Sequence, residues 1–350
     1  MISGATETAY TYLSQYYQFP ENVLVSHLPQ KLKSKSSSIK ILWAHHAYDQ
    51  QVYHNFTHDD ITHIVTPSYW AKETLQKYHK VPENKITVIP NGVDSIYTYS
   101  NQKQKQLIYT SIPYKALPIL AQIIPLVHQR HPDAIFRIFS SMSLYGPQID
   151  SYIELYEKLK ALPNVKYSRA IDRELLIFHY QESAFFISPC IWEETFGVSM
   201  CEAMRCGAYP IITDIGALEE IAGPNLATVV PIEGTRTPKG YEVTEKFISN
   251  FVEATCMALD YFDNEKEIYN QVSQSCSDWI EKSYDWKNIA KTWENLIHKL
   301  QNKSSGVGFG NKILKSSSRL SQTYTEDVVF TSPSVTKPSI SYFNFAKYGS

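Results

Sequence analysis

Several things are scarce in this 350-residue chain, and each scarcity removes a class of function. Its five cysteines, Cys190, Cys201, Cys206, Cys256 and Cys276, are odd in number and form no C-x-x-C pair, which argues against a disulfide framework and a zinc site. The D-x-D pattern and zinc-ligand spacings are absent, so no metal site is expected. Neither sign of charge dominates: 33 Lys and Arg face 35 Asp and Glu, a formal net charge of -2. Such a balance points away from nucleic acid or an anionic membrane surface as the main partner. No apolar run approaches the roughly 18–20 residues that an integral membrane segment needs. The opening MISGATETAYTYLSQ lacks the basic and apolar regions of a secretory leader. These absences predict a reducing, cytoplasmic setting, in which the sequons at Asn55 and Asn302 stay unmodified.

What the chain does have is length enough for two domains, with 43% hydrophobic residues to fill their cores. Short β-branched or apolar runs occur at 22–28, 39–45, 61–67, 85–91, 106–111, 134–140, 164–168, 184–189, 208–213 and 227–231. Helical patterns fall between them, at 68–79, 116–130, 149–161 and 174–181. This alternation predicts an α/β chain of βαβ units, and strands that are apolar throughout fit burial on both faces of a parallel sheet. The polar, aperiodic stretch DSIYTYSNQKQKQ (94–106) is the best domain boundary. About four strands precede it and about six follow. The first domain (1–97) therefore reads as reduced, with residues 1–4 leaving room for only the end of a first strand, and the second (98–283) as a full doubly wound unit. Residues 302–350, rich in Ser and Thr, read as a disordered low-complexity tail. The G-V-G-F-G run at 306–310 follows a helix and lacks the G-x-G-x-x-G spacing, so it reads as linker rather than phosphate loop.

The most informative segment is SPCIWEETFGVSMCEAMRCGAYPIITDIGALEE (188–220), which reads strand, turn, helix, strand, turn. In parallel sheets ligands bind beyond the carboxyl ends of strands, where this turn would lie. Gly197 has no Cβ to keep a ligand off its backbone. The amides of Phe196, Gly197, Val198 and Ser199 form a helix N-terminus, which attracts phosphate. Helical side chains lean back toward that end, so Glu202 can reach the same ligand and accept hydrogen bonds from a vicinal diol. Glu194, eight residues earlier, would stand on the other side of the phosphates, and Glu193 reads as a capping group. Ribose, diphosphate and sugar hydroxyls thus each find a partner, as a nucleotide-sugar site requires.

The E-x7-E pattern of Glu194 and Glu202, with Phe196, Gly197, Ala203, Met204 and Gly207, resembles the signature of glycosyltransferase family 4. VTPSYWAKETLQKYHKVPENKITVIPNGVD (65–94), TDIGALEE (213–220) and DWKNIAKTWENL (285–296) extend the resemblance over roughly residues 4–300. It implies two facing Rossmann-like domains of the GT-B type, with 284–301 a helix crossing back to the first. It also implies retaining transfer of a sugar from a nucleoside diphosphate sugar, with no cofactor beyond that donor, to an unidentified glycan, lipid or protein acceptor.

Lys115 is expected beside a helix N-terminus beginning near Ala116, since Pro118 suits only a first turn, and a cation there makes sense opposite a bound anion. By resemblance it contacts the donor diphosphate. His46, with His45 second, is implied near the sugar as hydrogen-bond partner or proton acceptor; Asp49 is a weaker candidate. Asn91 and Gly92 read as a hinge turn with positive φ at the cleft border, and Arg169 as either a base-pocket residue or a solvated surface arginine. One departure stands out: the arginine common in relatives a few residues before the lysine is replaced by Thr110, Ser111, Ile112 and Pro113. Its absence motivates an alternative, a catalytically degenerate module that binds a nucleotide sugar or a partner; an epimerase on the same fold is a third reading.

Overall fold

The computed structural model describes residues 5–33, 38–47, 53, 56–142 and 150–305. Asp49, residues 1–4 and residues 306–350, with the glycine-rich run, lie outside the described residues.

Elements are numbered in chain order. After helix α1 (Ala5–Tyr16), strands β1 (Val23–Ser26), β2 (Ile39–Trp43), β3 (His63–Thr66) and β4 (Ile86–Val88) form one parallel sheet in the simple order β1-β2-β3-β4. Helices α2 (Pro29–Lys33) and α3 (Tyr69–His79) accompany them. The second sheet takes β5 (Gln104–Thr110), β6 (Ile135–Phe139), β7 (Val165–Ser168), β8 (Ser183–Ser188), β9 (Tyr209–Thr213) and β10 (Thr228–Val230). Its parallel order is β10-β9-β8-β5-β6-β7. Strand order therefore reverses between β5 and β8, the place where a doubly wound sheet puts its ligand crevice, at the carboxyl ends of the strands. The connections are helices α4 (Pro113–Arg130), α5 (Ile153–Lys160), α6 (Arg173–Glu182), α7 (Val198–Arg205) and α8 (Leu218–Ala222). A hairpin of β11 (Gly234–Thr237) and β12 (Gly240–Val243) follows, then α9 (Glu245–Asn264), α10 (Lys266–Tyr284) and α11 (Trp286–Ser305). All ten strand runs expected from the sequence are strands; the hairpin was not foreseen.

Local chemistry sets the helix ends. The Ser68 hydroxyl accepts from the amide of Ala71 to start α3, which ends at Lys80 in the left-handed region (φ 55°). Asp285 accepts from the amides of Lys287 and Asn288 at the start of α11. That helix packs its apolar face on the first sheet: Trp293 meets Trp43 and Phe19 edge-on, with centroids 5.0 and 5.4 Å apart. Helix α11 runs to Ser305, so residues 302–305, expected in the tail, are helical.

Two backbone expectations fail. Helix α4 begins at Pro113, not near Ala116, and contains both Pro118 and Pro125. Pro113 is itself suited to a first helical position. Pro118 has no N–H to donate to the Tyr114 carbonyl, and the neighbouring Lys115 carbonyl accepts from the Ile191 amide at 2.8 Å. Asn91 and Gly92 are not among the positive-φ residues. Gly92 is needed for space: a Cβ there would come within 2.4 Å of the Trp286 ring.

Candidate active site

Strands β5 and β8 flank the order reversal, and each delivers one charged group to it. Lys115, the third residue of α4, reaches Glu194 in the loop after β8, with Nζ 2.5 Å from Oε1. Burial would lower the lysine's affinity for its proton, but the Glu194 charge and hydrogen bond raise it above the ordinary value. The Glu194 backbone is fixed in turn. Its carbonyl accepts from the Ala217 amide at 2.8 Å, and Gly216 (φ +67°) lies so close that a Cβ would stand 2.2 Å from the same oxygen. The segment 214–217 thus seats Glu194 and tolerates no side chain at Gly216.

Helix α7 starts at Gly197, which has φ 91° and no side chain capping the amides that follow. Val198 and Ser199 therefore offer free N–H groups at the positive end of the helix dipole. Gly197 was expected to open space for a ligand; the structure ties it to its left-handed φ and to Leu218, whose Cδ2 a Cβ would approach to 2.7 Å. Phe196 is 2% exposed and packs edge-on against Tyr284 at 5.4 Å, so its side chain belongs to the core. Glu193 does not cap α7 but pairs with Arg236 of the hairpin at 2.9 Å.

Glu202 lies on the second turn of α7, 6% exposed. Its Oε1 accepts from Arg173 Nη2 at 2.7 Å. Burial pushes its carboxyl pKa up, and the Arg173 charge opposes that rise. Glu194 and Glu202 thus face different cations. A cavity of about 10 Å³, lined in part by Val198, Glu202, Arg173, Asn91 and Gly92, does not include Glu194 in its lining. Arg169 is exposed and not part of that cavity either; Arg173, four residues on, is the arginine that enters it. It opens α6, and a cation at a helix's first position, read as Lys115 was read, is the signal that would have found it. Tyr12 of α1 also lines the cavity and went unnoticed, because the chain start read as the remnant of a strand.

The first sheet meets this crevice at two points. The Thr195 hydroxyl donates to the His45 carbonyl at 2.8 Å, which brings the strand-end histidines beside the Glu194 loop. The His45 ring lies against Trp43, 4.7 Å between centroids, and burial lowers its pKa to about 3, so it is neutral. The His46 ring lies 5.9 Å from that of His27, and its carbonyl accepts from the Tyr53 hydroxyl. Further along, Glu220 accepts from the amides of Tyr69 and Trp70 at 2.8 and 3.0 Å, capping α3 from the other lobe. At the positions of the missing arginine, Thr110 bonds the Tyr180 hydroxyl at 2.7 Å, and the Ser111 carbonyl accepts from Ser140 at 2.6 Å.

This geometry can be compared with known proteins. Residues 100–234 match the family model "Glycosyl transferases group 1", and residues 25–96 match "Glycosyltransferase Family 4". The chain belongs to glycosyltransferase family 4. The GPI3 subunit of phosphatidylinositol N-acetylglucosaminyltransferase from Saccharomyces cerevisiae is 22% identical over 263 residues, 71% of this chain and 53% of that protein. Glycogen synthase from Streptococcus pneumoniae is 25% identical over 152 residues, 43% of this chain and 28% of that one. The chain thus spans about half the length, or less, of these curated relatives. Among solved structures, a glycosyltransferase from Rickettsia africae superposes with a TM-score of 0.62 at 14% identity, covering 86% of this chain and 84% of that one. Anabaena HepE, in complex with UDP and glucose, gives 0.60 at 12%, covering 85% and 83%. These likenesses establish the GT-B type of fold. Among the described residues no helix is long and apolar enough to cross a membrane.

Proposed function

We propose that the chain transfers a sugar, with retention of configuration, from a nucleoside diphosphate sugar to an acceptor hydroxyl. The observation that carries this reading is the Lys115–Glu194 pair at the β5/β8 reversal, beside the uncapped amides of α7. Lys115 and the amides of Val198 and Ser199 take the diphosphate, Glu202 takes the ribose diol, and Glu194, released from part of its bond to Lys115, orients the sugar hydroxyls. The bond from the anomeric carbon to the β-phosphate oxygen breaks, the acceptor oxygen joins the same face, and its proton passes to the departing phosphate. Glu194, tied to Lys115, acts as an orienting group and not as a nucleophile. His46 stands on the first-sheet rim, where it would hydrogen-bond the sugar. No resident metal enters the scheme, because lysine and helix amides carry the cationic part. UDP-sugars are the first donors to test, since HepE is a complex with UDP and glucose.

The test is sugar release or transfer by the full chain with UDP-, GDP- and ADP-sugars, with and without EDTA. Turnover that resists EDTA and is lost in Lys115→Ala and Glu194→Ala supports the proposal. Tight donor binding without turnover toward any acceptor supports the degenerate-module reading, and product without acceptor supports an epimerase.

A further inference from the structure

The cavity beside Glu202 holds about 10 Å³, room for roughly one water, whereas small-molecule sites run to ~300 Å³ or more. What fills the space is the chain itself. The Arg173 guanidinium, bonded to Glu202 on one side, lies over the Tyr12 ring on the other, 5.3 Å from its centroid, and its Nη1 donates to the Tyr12 hydroxyl at 3.2 Å. Tyr12 arrives from α1 of the first lobe, whereas Arg173 and Glu202 stand on α6 and α7 of the second. A second observation marks the cavity as built for a polar ligand: Asn91 is 2% exposed and lines it, yet its Oδ1 has no hydrogen-bond partner. A buried acceptor without a donor carries a desolvation cost that a ligand hydroxyl relieves.

On the proposed reading the ribose sits at Glu202 and the phosphates at the start of α7. The base leaves the ribose on the side away from the phosphates, where the neighbour of Glu202 is the guanidinium. Guanidinium planes accept aromatic rings, nucleobases among them. We propose that Arg173 is a further donor-binding residue, whose guanidinium receives the donor's nucleobase on the face that the Tyr12 ring covers in the donor-free chain. The inference rests on the nucleotide-sugar reading of this site. Tyr12 is then a built-in competitor: a six-membered aromatic ring with a hydroxyl, seated on the same cation, which leaves when α1 shifts and the donor enters. Arg173 also opposes the burial that pushes the Glu202 pKa up, and its hydrogen bond orients that carboxyl at the cavity.

Calorimetric titration of the full chain with UDP, GDP, ADP and inorganic pyrophosphate tests this. For whichever nucleotide the wild-type chain binds, Arg173→Met should weaken binding about 10-fold or more, in line with the loss of one base-stacking contact. Pyrophosphate affinity should stay within about 2-fold, since it has no base to stack, a result that also shows the site still folded. Arg173→Lys keeps a cation beside Glu202 but presents no plane, and should lose most of the same affinity. Tyr12→Ala should tighten nucleotide binding several-fold in the wild-type background and not at all beside Arg173→Met. Equal losses for nucleotide and pyrophosphate would make Arg173 a phosphate cation and overturn the inference, as would unchanged nucleotide affinity in Arg173→Met or weaker binding in Tyr12→Ala. Failure of the wild-type chain to bind any of the three nucleotides overturns the proposed function as well, which separates the two failures.

Discussion

The second sheet has six strands whose order reverses at β5 and β8, and it carries both ion pairs of the site; the first has four strands in simple succession and brings backbone carbonyls, Tyr12 and two histidines. The difference follows from topology. A reversal sends the connections after two neighbouring strands to opposite sides of the sheet, so charged side chains from both loops can meet between them. Four strands in sequence leave no such meeting point in the first sheet, and that lobe serves the site by covering it. Its contacts with the second include single hydrogen bonds and caps, Thr195 to His45, Glu220 to α3 and Arg173 to Tyr12, with the Tyr12 ring under Arg173 and Trp70 against the second core.

The largest test of that contrast removes a charge at the reversal. Lys115→Ala should lower kcat about 10²–10³-fold, the usual effect of deleting a donor to a developing anion, and steady-state kinetics with the best donor measures it. A first-lobe change such as His46→Ala that cost as much would show that chemistry is shared between the lobes after all.

Acid should strike the other lobe first. His63 is 6% exposed and bonded to Thr87 at 2.8 Å; burial, then the charges of Lys303, Lys299 and Lys85, lower its pKa to about 4. The unfolded chain binds the proton near 6.5 and the folded chain near 4, so in that window the unfolded state holds more protons, and stability falls as pH is lowered through it. The loss reaches at most about 3 kcal/mol, with His45 acting in the same direction. Urea unfolding between pH 7 and 4 reads the total, and hydrogen exchange should show β3 opening before β8. Uniform opening of both sheets would erase the distinction.

Gly216→Ala comes next, at roughly 1–3 kcal/mol of stability, because its Cβ would press on the Glu194 carbonyl. Its activity loss should exceed what the lost folded fraction explains. Smallest is Glu220→Ala, which uncaps α3 at a cost of about 1 kcal/mol; a drop in melting temperature with kcat unchanged would place this contact in lobe closure alone.

How much of this could be read from the chain depended on whether the partners were near in sequence. Runs such as AFFISP and AYPIIT became β8 and β9 because strands covered on both faces are apolar throughout. The hairpin GTRT/GYEV escaped notice, since exposed polar strands have no such signature. At the site, the E-x7-E spacing fixed Glu194 and Glu202 on one turn and helix, and the proline-rich helix start pointed to Lys115. Arg173 against Tyr12, 161 residues apart, and Glu220 against Trp70, 150 apart, depend on how the two lobes meet, which no local pattern encodes. Pro118 misled about α4 because the helix already begins at Pro113, so Pro118 falls on its second turn, where a proline costs one backbone hydrogen bond without ending the helix.

Trp286, Trp293 and Leu300 of α11 complete the hydrophobic cluster that also holds Leu13, Ile41 and Trp43. The first lobe therefore lacks one wall until residue 300 has been made. On the ribosome, β1 to β4 emerge early and wait while the entire second lobe is synthesised, with Trp43 uncovered throughout. A nascent chain of this design depends on α11 for solubility, and a premature stop near residue 285 would harm the lobe encoded farthest from it.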